Sequence, residues 1–202
     1  MKKNAKWILL ALLLVMLIAG ASGLYNSLKD KVEPSNLVAE ATTVPSEEPA
    51  ADPNATAAPT ATPRPAAPDF TVYDVEGNAV ALSSMVGKPV VVNFWASWCG
   101  PCKSEMPYFQ KAYEQYGETV HFMIVNMTDG MQETKESAKA YVDKQGFTFP
   151  VYYDTDMDAA MTYGASSIPA TFFVAADGSL VARVRGAIRL STLEKGLSMI
   201  ME

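Results

Sequence analysis

The chain has two cysteines, Cys99 and Cys102, with Gly100 and Pro101 between them. A disulfide across so short a loop removes little entropy from the unfolded chain, well under the ~3 kcal/mol of a roughly 15-residue loop. The pair is therefore a poor structural staple. A zinc site wants about four ligands, and one cysteine pair with the single His121 cannot complete it. Covalent haem attachment needs a histidine directly after the second cysteine, where Lys103 stands. What two sulfurs at this spacing can do is make and break a disulfide.

That chemistry needs a thiolate, and a free cysteine is mostly protonated at neutral pH. A helix that opens at the motif supplies the remedy, because its unpaired N–H groups and positive dipole end stabilise an anion at Cys99. Pro101 suits the first turn, where it has no N–H to leave unsatisfied, and Gly100 permits a close backbone approach. Cys102 sits one turn deeper. The outer sulfur is expected to attack and the inner one to resolve the mixed disulfide. Trp98 and Trp95 flank the pair, Trp98 expected on the apolar rim that a substrate chain meets and Trp95 in the core.

The elements that must position this pair can be read from pattern. Phe70 to Tyr73 and Ala79 to Leu82, around Glu76-Gly77-Asn78, form a small N-terminal hairpin. Pro89 to Trp95 is a continuous apolar run, suited to a strand buried on both faces. The cysteine motif then opens a helix to about Tyr116, within which Pro107 is expected to cause a kink. Val120 to Asn126 is a second buried strand, and Gln132 to Lys144 is helical with Ala138, Tyr141 and Val142 facing inward. A short strand near Val151 and a helix over 156–163 follow. Thr171 to Val174 and Leu180 to Arg185, joined through Asp177-Gly178, form a hairpin, and a last helix buries Leu190, Leu193, Leu197 and Ile200. A βαβ crossover followed by ββα predicts an α/β fold, a mixed central sheet with helices on both faces.

Val92-Asn93-Phe94-Trp95-Ala96-Ser97-Trp98-Cys99-Gly100-Pro101-Cys102, together with Ser167-Ile168-Pro169-Ala170-Thr171, resembles the TlpA/ResA-type thioredoxin-like proteins. These are membrane-anchored thiol–disulfide oxidoreductases that work outside the cytoplasmic membrane. The similarity runs over residues 68–202 and implies a thioredoxin-like fold. It also implies a cis peptide before Pro169, beside the active cysteine, with Ile168 offering backbone polar groups to a substrate strand; a trans turn proline is the alternative. Asn93 stands where cytoplasmic thioredoxins carry a buried aspartate, and an amide cannot take a proton from Cys102. Glu105, in Cys102-Lys103-Ser104-Glu105-Met106-Pro107, matches a functional glutamate of the ResA-like members. Desolvated beside the cysteines it would shuttle a proton; the alternative is an ordinary solvated helix glutamate. No cofactor is implied beyond the redox-active disulfide Cys99–Cys102, and no metal.

The layout around this domain bears on where it works. Lys2, Lys3 and Lys6 precede an uncharged span from Trp7 to Leu28. As a signal anchor it is long enough for the roughly 20 residues that cross a bilayer; as a signal peptide it offers Ala19-Gly20-Ala21 for cleavage. Either way the positive end stays inside and the remainder is exported. Residues 29–67 are rich in Pro, Ala, Thr, Ser and Glu and read as a disordered spacer. Of the net charge of −6, none falls before residue 68: that stretch carries six basic and six acidic residues, against ten and sixteen in 68–202. So acidic a domain repels phosphate backbones, which excludes nucleic acid.

The resemblance implies protein thiol clients, among them apocytochrome c cysteines or a methionine sulfoxide reductase partner, and electrons from a membrane thiol carrier of the CcdA type. Nothing calls for an oligomer, so a monomer is expected. Two rival functions fare worse. A peroxidatic site wants threonine three residues before the cysteine, where Ala96 stands. A copper chaperone on the same fold wants wider cysteine spacing and a nearby histidine. Asp154-Thr155-Asp156-Met157-Asp158 imitates a calcium loop, but Ala159 replaces its glycine and Ala165 its terminal glutamate. His121 reads as structural.

Overall fold

The computed structural model describes residues 38–39 and 64–202. The expected membrane segment over 1–28 lies outside the described residues, as does most of the spacer. Among the described residues no helix is long and apolar enough to cross a membrane.

Among the described residues eight strands form one mixed sheet: β1 (Val38–Ala39), β2 (Thr71–Tyr73), β3 (Ala79–Ala81), β4 (Val90–Trp95), β5 (His121–Asn126), β6 (Val151–Tyr153), β7 (Ala170–Val174) and β8 (Leu180–Arg185), in the order β1-β8-β7-β4-β5-β6-β2-β3. The helices are α1 (Gly100–Tyr116), α2 (Lys135–Gln145), α3 (Asp158–Thr162) and α4 (Leu190–Ile200). β4 lies parallel to β5 and antiparallel to β7, and β5 lies parallel to β6. Two crossovers, β4-α1-β5 and β5-α2-β6, thus precede the β7–β8 hairpin, with the expected N-terminal hairpin β2–β3 added at the far edge.

Every residue of β4 is buried, as its apolar run requires of a central strand. Alternate residues serve opposite faces. Val91 and Trp95 join Met106, Phe109, Phe122, Leu193 and Leu197 under α1, α2 and α4. Val90, Val92 and Phe94 join Phe70, Met123, Tyr163 and Phe172 under α3 and the N-terminal hairpin. Asn93, on the α1 side, is the one polar residue in this strand and has no solvent exposure.

Four boundaries differ from the sequence pattern, two through distant strand pairing and two through local capping. Backbone pairing starts before residue 68: Leu180 N–H donates to Pro65 O and Ala67 N–H to Gly178 O, both at 2.9 Å. β1, inside the stretch read as spacer, pairs with the edge of β8. α2 starts at Lys135 rather than Gln132, because Thr134 and Ser137 form a reciprocal capping box there. α3 is shortened at its start, where Asp154 accepts the N–H groups of Ala159 and Ala160 and Met157 takes a left-handed φ of 56°. That capping also occupies the first residue of the apparent calcium loop. In α4, Leu193, Leu197 and Ile200 are buried as expected, Leu190 is only half-buried, and Gly196 is pressed onto the sheet.

A methyl group at Gly196 would lie 2.2 Å from the Phe173 ring. Overpacking of this kind costs about 1–3 kcal/mol, more than the ~1 kcal/mol that alanine gains over glycine in a helix. Gly196→Ala is expected to lower the denaturant midpoint at an unchanged m-value; an unchanged or higher midpoint would show that α4 can lift off the ring without cost.

Candidate active site

β4 ends at Trp95, and the chain reverses through Ala96-Ser97-Trp98, closed by Cys99 N–H to Ala96 O at 3.1 Å. Cys99 is the N-cap of α1, and its Sγ accepts the N–H of Cys102 at 3.1 Å. The helix amide that the spacing places beside the sulfur is therefore aimed at it, with Pro101 in the first turn. Cys99 and Cys102 are joined by a disulfide of 2.03 Å. Cys99 is 4% exposed and Cys102 fully buried, so the outer sulfur is the one that meets solvent. Gly100 and Pro101 are exposed, and Trp98 is 49% exposed on the rim, while Trp95 is buried. α1 continues through Pro107 to Tyr116.

The Ile168–Pro169 bond is cis. Ile168 O lies 3.8 Å from Cys99 Sγ, a contact and not a hydrogen bond while the sulfur carries no proton. Pro169 O accepts from Gly186 N–H at 2.8 Å, which fastens this loop to the end of β8.

Behind the cysteines, Glu105 on α1 has no solvent exposure. Its Oε1 accepts from Asn93 Nδ2 and its Oε2 from the N–H of Ile188, both at 2.8 Å. Asn93 Nδ2 also donates to Thr171 Oγ1 at 3.1 Å. Burial pushes the carboxyl up to about 7, against the opposing pull of the Ile188 and Asn93 hydrogen bonds. Asn93 Oδ1 is buried with no partner. Turning the amide over would offer that oxygen to a protonated Glu105, so the pair can serve the carboxyl in either state. The arrangement can therefore hold or accept a proton near neutral pH, one helical turn from Cys102.

The site thus gathers Cys99, Cys102, Trp98, Ile168, Pro169, Glu105 and Asn93. His121 pairs with Val90 at the opposite end of β4, roughly 17 Å along the strand from the motif. Among the described residues no group of three or more His, Cys, Asp or Glu could hold a metal ion.

Sequence pattern did not single out Thr171, Ile188 or Glu133. Thr171 carried a signal: it is the lone polar residue of an apolar strand, as Asn93 is of β4, and the two pair in register. Ile188 contributes only its backbone, and Glu133 looked like the polar start of a helix.

The sequence profile of the AhpC/TSA family matches residues 63–183. The chain is 37% identical over 139 residues to the thiol–disulfide oxidoreductase ResA of Oceanobacillus iheyensis, covering 67% of this chain and 71% of that one. It is 33% identical over 135 residues to ResA of Bacillus subtilis, covering 66% and 73%. The chain belongs to the AhpC/TSA family and is a ResA-like thiol–disulfide oxidoreductase. Its fold is thioredoxin-like. StoA from Bacillus subtilis superposes with a TM-score of 0.57 at 26% identity, over 66% of this chain and 99% of that one. A thiol:disulfide interchange protein DsbE from Chlorobium tepidum gives 0.61 at 25%, over 69% and 97%.

The Glu105 carboxyl makes this enzyme's stability depend on pH. Its folded value, about 7, exceeds the ordinary 4.5. Between those values the folded chain holds a proton that the unfolded chain has released, so stability falls as pH rises through the window, by about 3 kcal/mol in all. Glu105→Gln cannot titrate. Its unfolding free energy relative to the parent should therefore rise by about 2–3 kcal/mol between pH 5 and pH 8; parallel curves would contradict the raised value.

Proposed function

We propose that this oxidoreductase reduces disulfides of exported proteins from an anchored position outside the cytoplasmic membrane. The observation that carries the reading is the helix-capping Cys99 with the Ile168 carbonyl 3.8 Å away and a buried, near-neutral Glu105 behind it. Lys2, Lys3 and Lys6 before the uncharged span 7–28 support the export and the anchor, with cleavage after Ala21 as the alternative. The Gly-Pro dipeptide and the ResA resemblance support the reductive direction, although the partner's potential also sets it.

In the forward reaction the Cys99 thiolate attacks one sulfur of a client disulfide. A Cys99–client bond forms, the client disulfide breaks, and the departing client thiolate takes up a proton. Cys102 then gives its proton to Glu105 and attacks Cys99 Sγ, which forms the Cys99–Cys102 disulfide and expels the second client thiolate. That thiolate is protonated in turn. The client has gained two electrons and two protons, and the enzyme stands in the disulfide state described above. A membrane thiol carrier of the CcdA type would restore the dithiol. Trp98 and Ile168 form the surface that a client segment crosses. Apocytochrome c cysteines or a methionine sulfoxide reductase are the clients that the resemblance favours.

Cys99→Ser should abolish reduction of a test protein's disulfides by the purified chain recycled with a dithiol; retained activity would sink the mechanism. Cys102→Ala, expressed in cells, should accumulate mixed disulfides through Cys99 with exported proteins. Recovery of cytoplasmic proteins alone would contradict the location. Peroxide consumption in place of disulfide reduction would point to the peroxidase that Ala96 argues against.

A further inference from the structure

Glu133 is a second buried carboxyl near the motif, and the proton chemistry above makes no use of it. It has no solvent exposure. Burying such a group is costly unless its oxygens find donors, and here they find three. Oε1 accepts from Ser97 N–H at 2.9 Å and from Asn126 Nδ2 at 2.7 Å; Oε2 accepts from Ser97 Oγ at 2.7 Å. Glu133 is itself held from behind, because Asp129 Oδ1 accepts the N–H groups of Met131, Gln132 and Glu133 at 2.8–2.9 Å. Asn126 is fixed at the end of β5, in register with Trp95, and its Oδ1 accepts from Thr128 Oγ1 at 2.8 Å.

Ser97 is a corner residue of the Ala96–Cys99 turn, and both its N–H and its hydroxyl go to Glu133. That turn alone separates the rigid end of β4 from the N-cap of α1. Its conformation therefore decides whether Cys99 Sγ stays 3.1 Å from the Cys102 N–H. We propose that Glu133 is a positioning residue for the nucleophile: through Ser97 it locks the Ala96–Cys99 turn and so keeps the Cys99 sulfur on the amino end of α1. The inference rests on Cys99 being the attacking sulfur.

The hydrogen-bond pattern provides a test that separates positioning from charge and from bulk stability. Both N–H donors converge on Oε1, and the one partner of Oε2 is a hydroxyl, which can also accept. Glu133→Gln can therefore keep all three bonds, with its new amide donating to Ser97 Oγ. Glu133→Ala loses all three, and Ser97→Ala loses only the hydroxyl bond.

The measurement is the pH–rate profile of Cys99 alkylation by iodoacetamide in the full chain carrying Cys102→Ala, with unfolding midpoints recorded in parallel. Glu105 is present in every variant, so its influence cancels in the comparison. Glu133→Ala should move the profile's midpoint up by about one pH unit, and so slow alkylation at neutral pH about fivefold to tenfold, because a thiolate off the helix end loses its stabilisation. Glu133→Gln should restore the rate to within about twofold, and Ser97→Ala should fall between. A folded Glu133→Ala protein with an unchanged profile would overturn the proposal, leaving Glu133 merely structural. So would Glu133→Gln behaving like Glu133→Ala, which would assign the effect to charge. If Glu133→Ala does not fold, Ser97→Ala decides: an unchanged profile overturns the proposal. An unreactive Cys99 in the Cys102→Ala parent would instead refute the reading of Cys99 as nucleophile.

Discussion

Glu105 is a carboxyl group withdrawn from solvent, and much of the molecule is arranged around that withdrawal. Its oxygens are met by the Asn93 amide of β4 and by the Ile188 backbone between β8 and α4; Thr171 of β7 steadies the amide. A helix, two adjacent strands and a connecting segment are thereby tied at one point directly behind the disulfide. The hydrogen bonds favour the ionised form and the burial opposes it. Burial is the larger effect, which leaves the group near the pH at which thiols must exchange protons.

The front of the disulfide is built differently. Here the backbone does the positioning: a turn closed on Ala96, the first amides of α1, and the carbonyl of Ile168 ahead of the cis-proline. That backbone is held from outside by the Glu133 side chain on Ser97 in front and by the backbone bond from Gly186 N–H to Pro169 O at the side. One carboxyl thus sits where a proton can move, and the other where a loop must not. Their partners differ: Glu133 meets three side-chain and backbone donors and Glu105 two.

Much of this was legible in sequence because it is periodic or local. The apolar run of β4, the N-cap placement of Cys99 and the β7–β8 hairpin follow from burial pattern and turn chemistry, and Cys102-Lys103-Ser104-Glu105 put the carboxyl one turn past Cys102. What pattern could not show is which distant groups meet. Ile188 donates to Glu105 from 83 residues away, and through a backbone N–H that leaves no trace in residue type. Glu133 sits just before α2, where a glutamate reads as the polar face of a helix; only the Thr134 cap and the register of β5 against β4 turn it inward to Ser97. The strand pairing that brings Asn93 to Thr171 was visible only as two isolated polar residues in two apolar strands.

The carboxyl behind the disulfide is expected to take up and release its proton near neutrality. Titration of the Glu105 side-chain carboxyl carbon by NMR in the oxidised protein reads this directly, with the Glu105→Gln spectrum to assign the signal. A midpoint of about 7 is expected. A midpoint in the ordinary range of about 4 to 5 would contradict it, and would return Glu105 to a structural role.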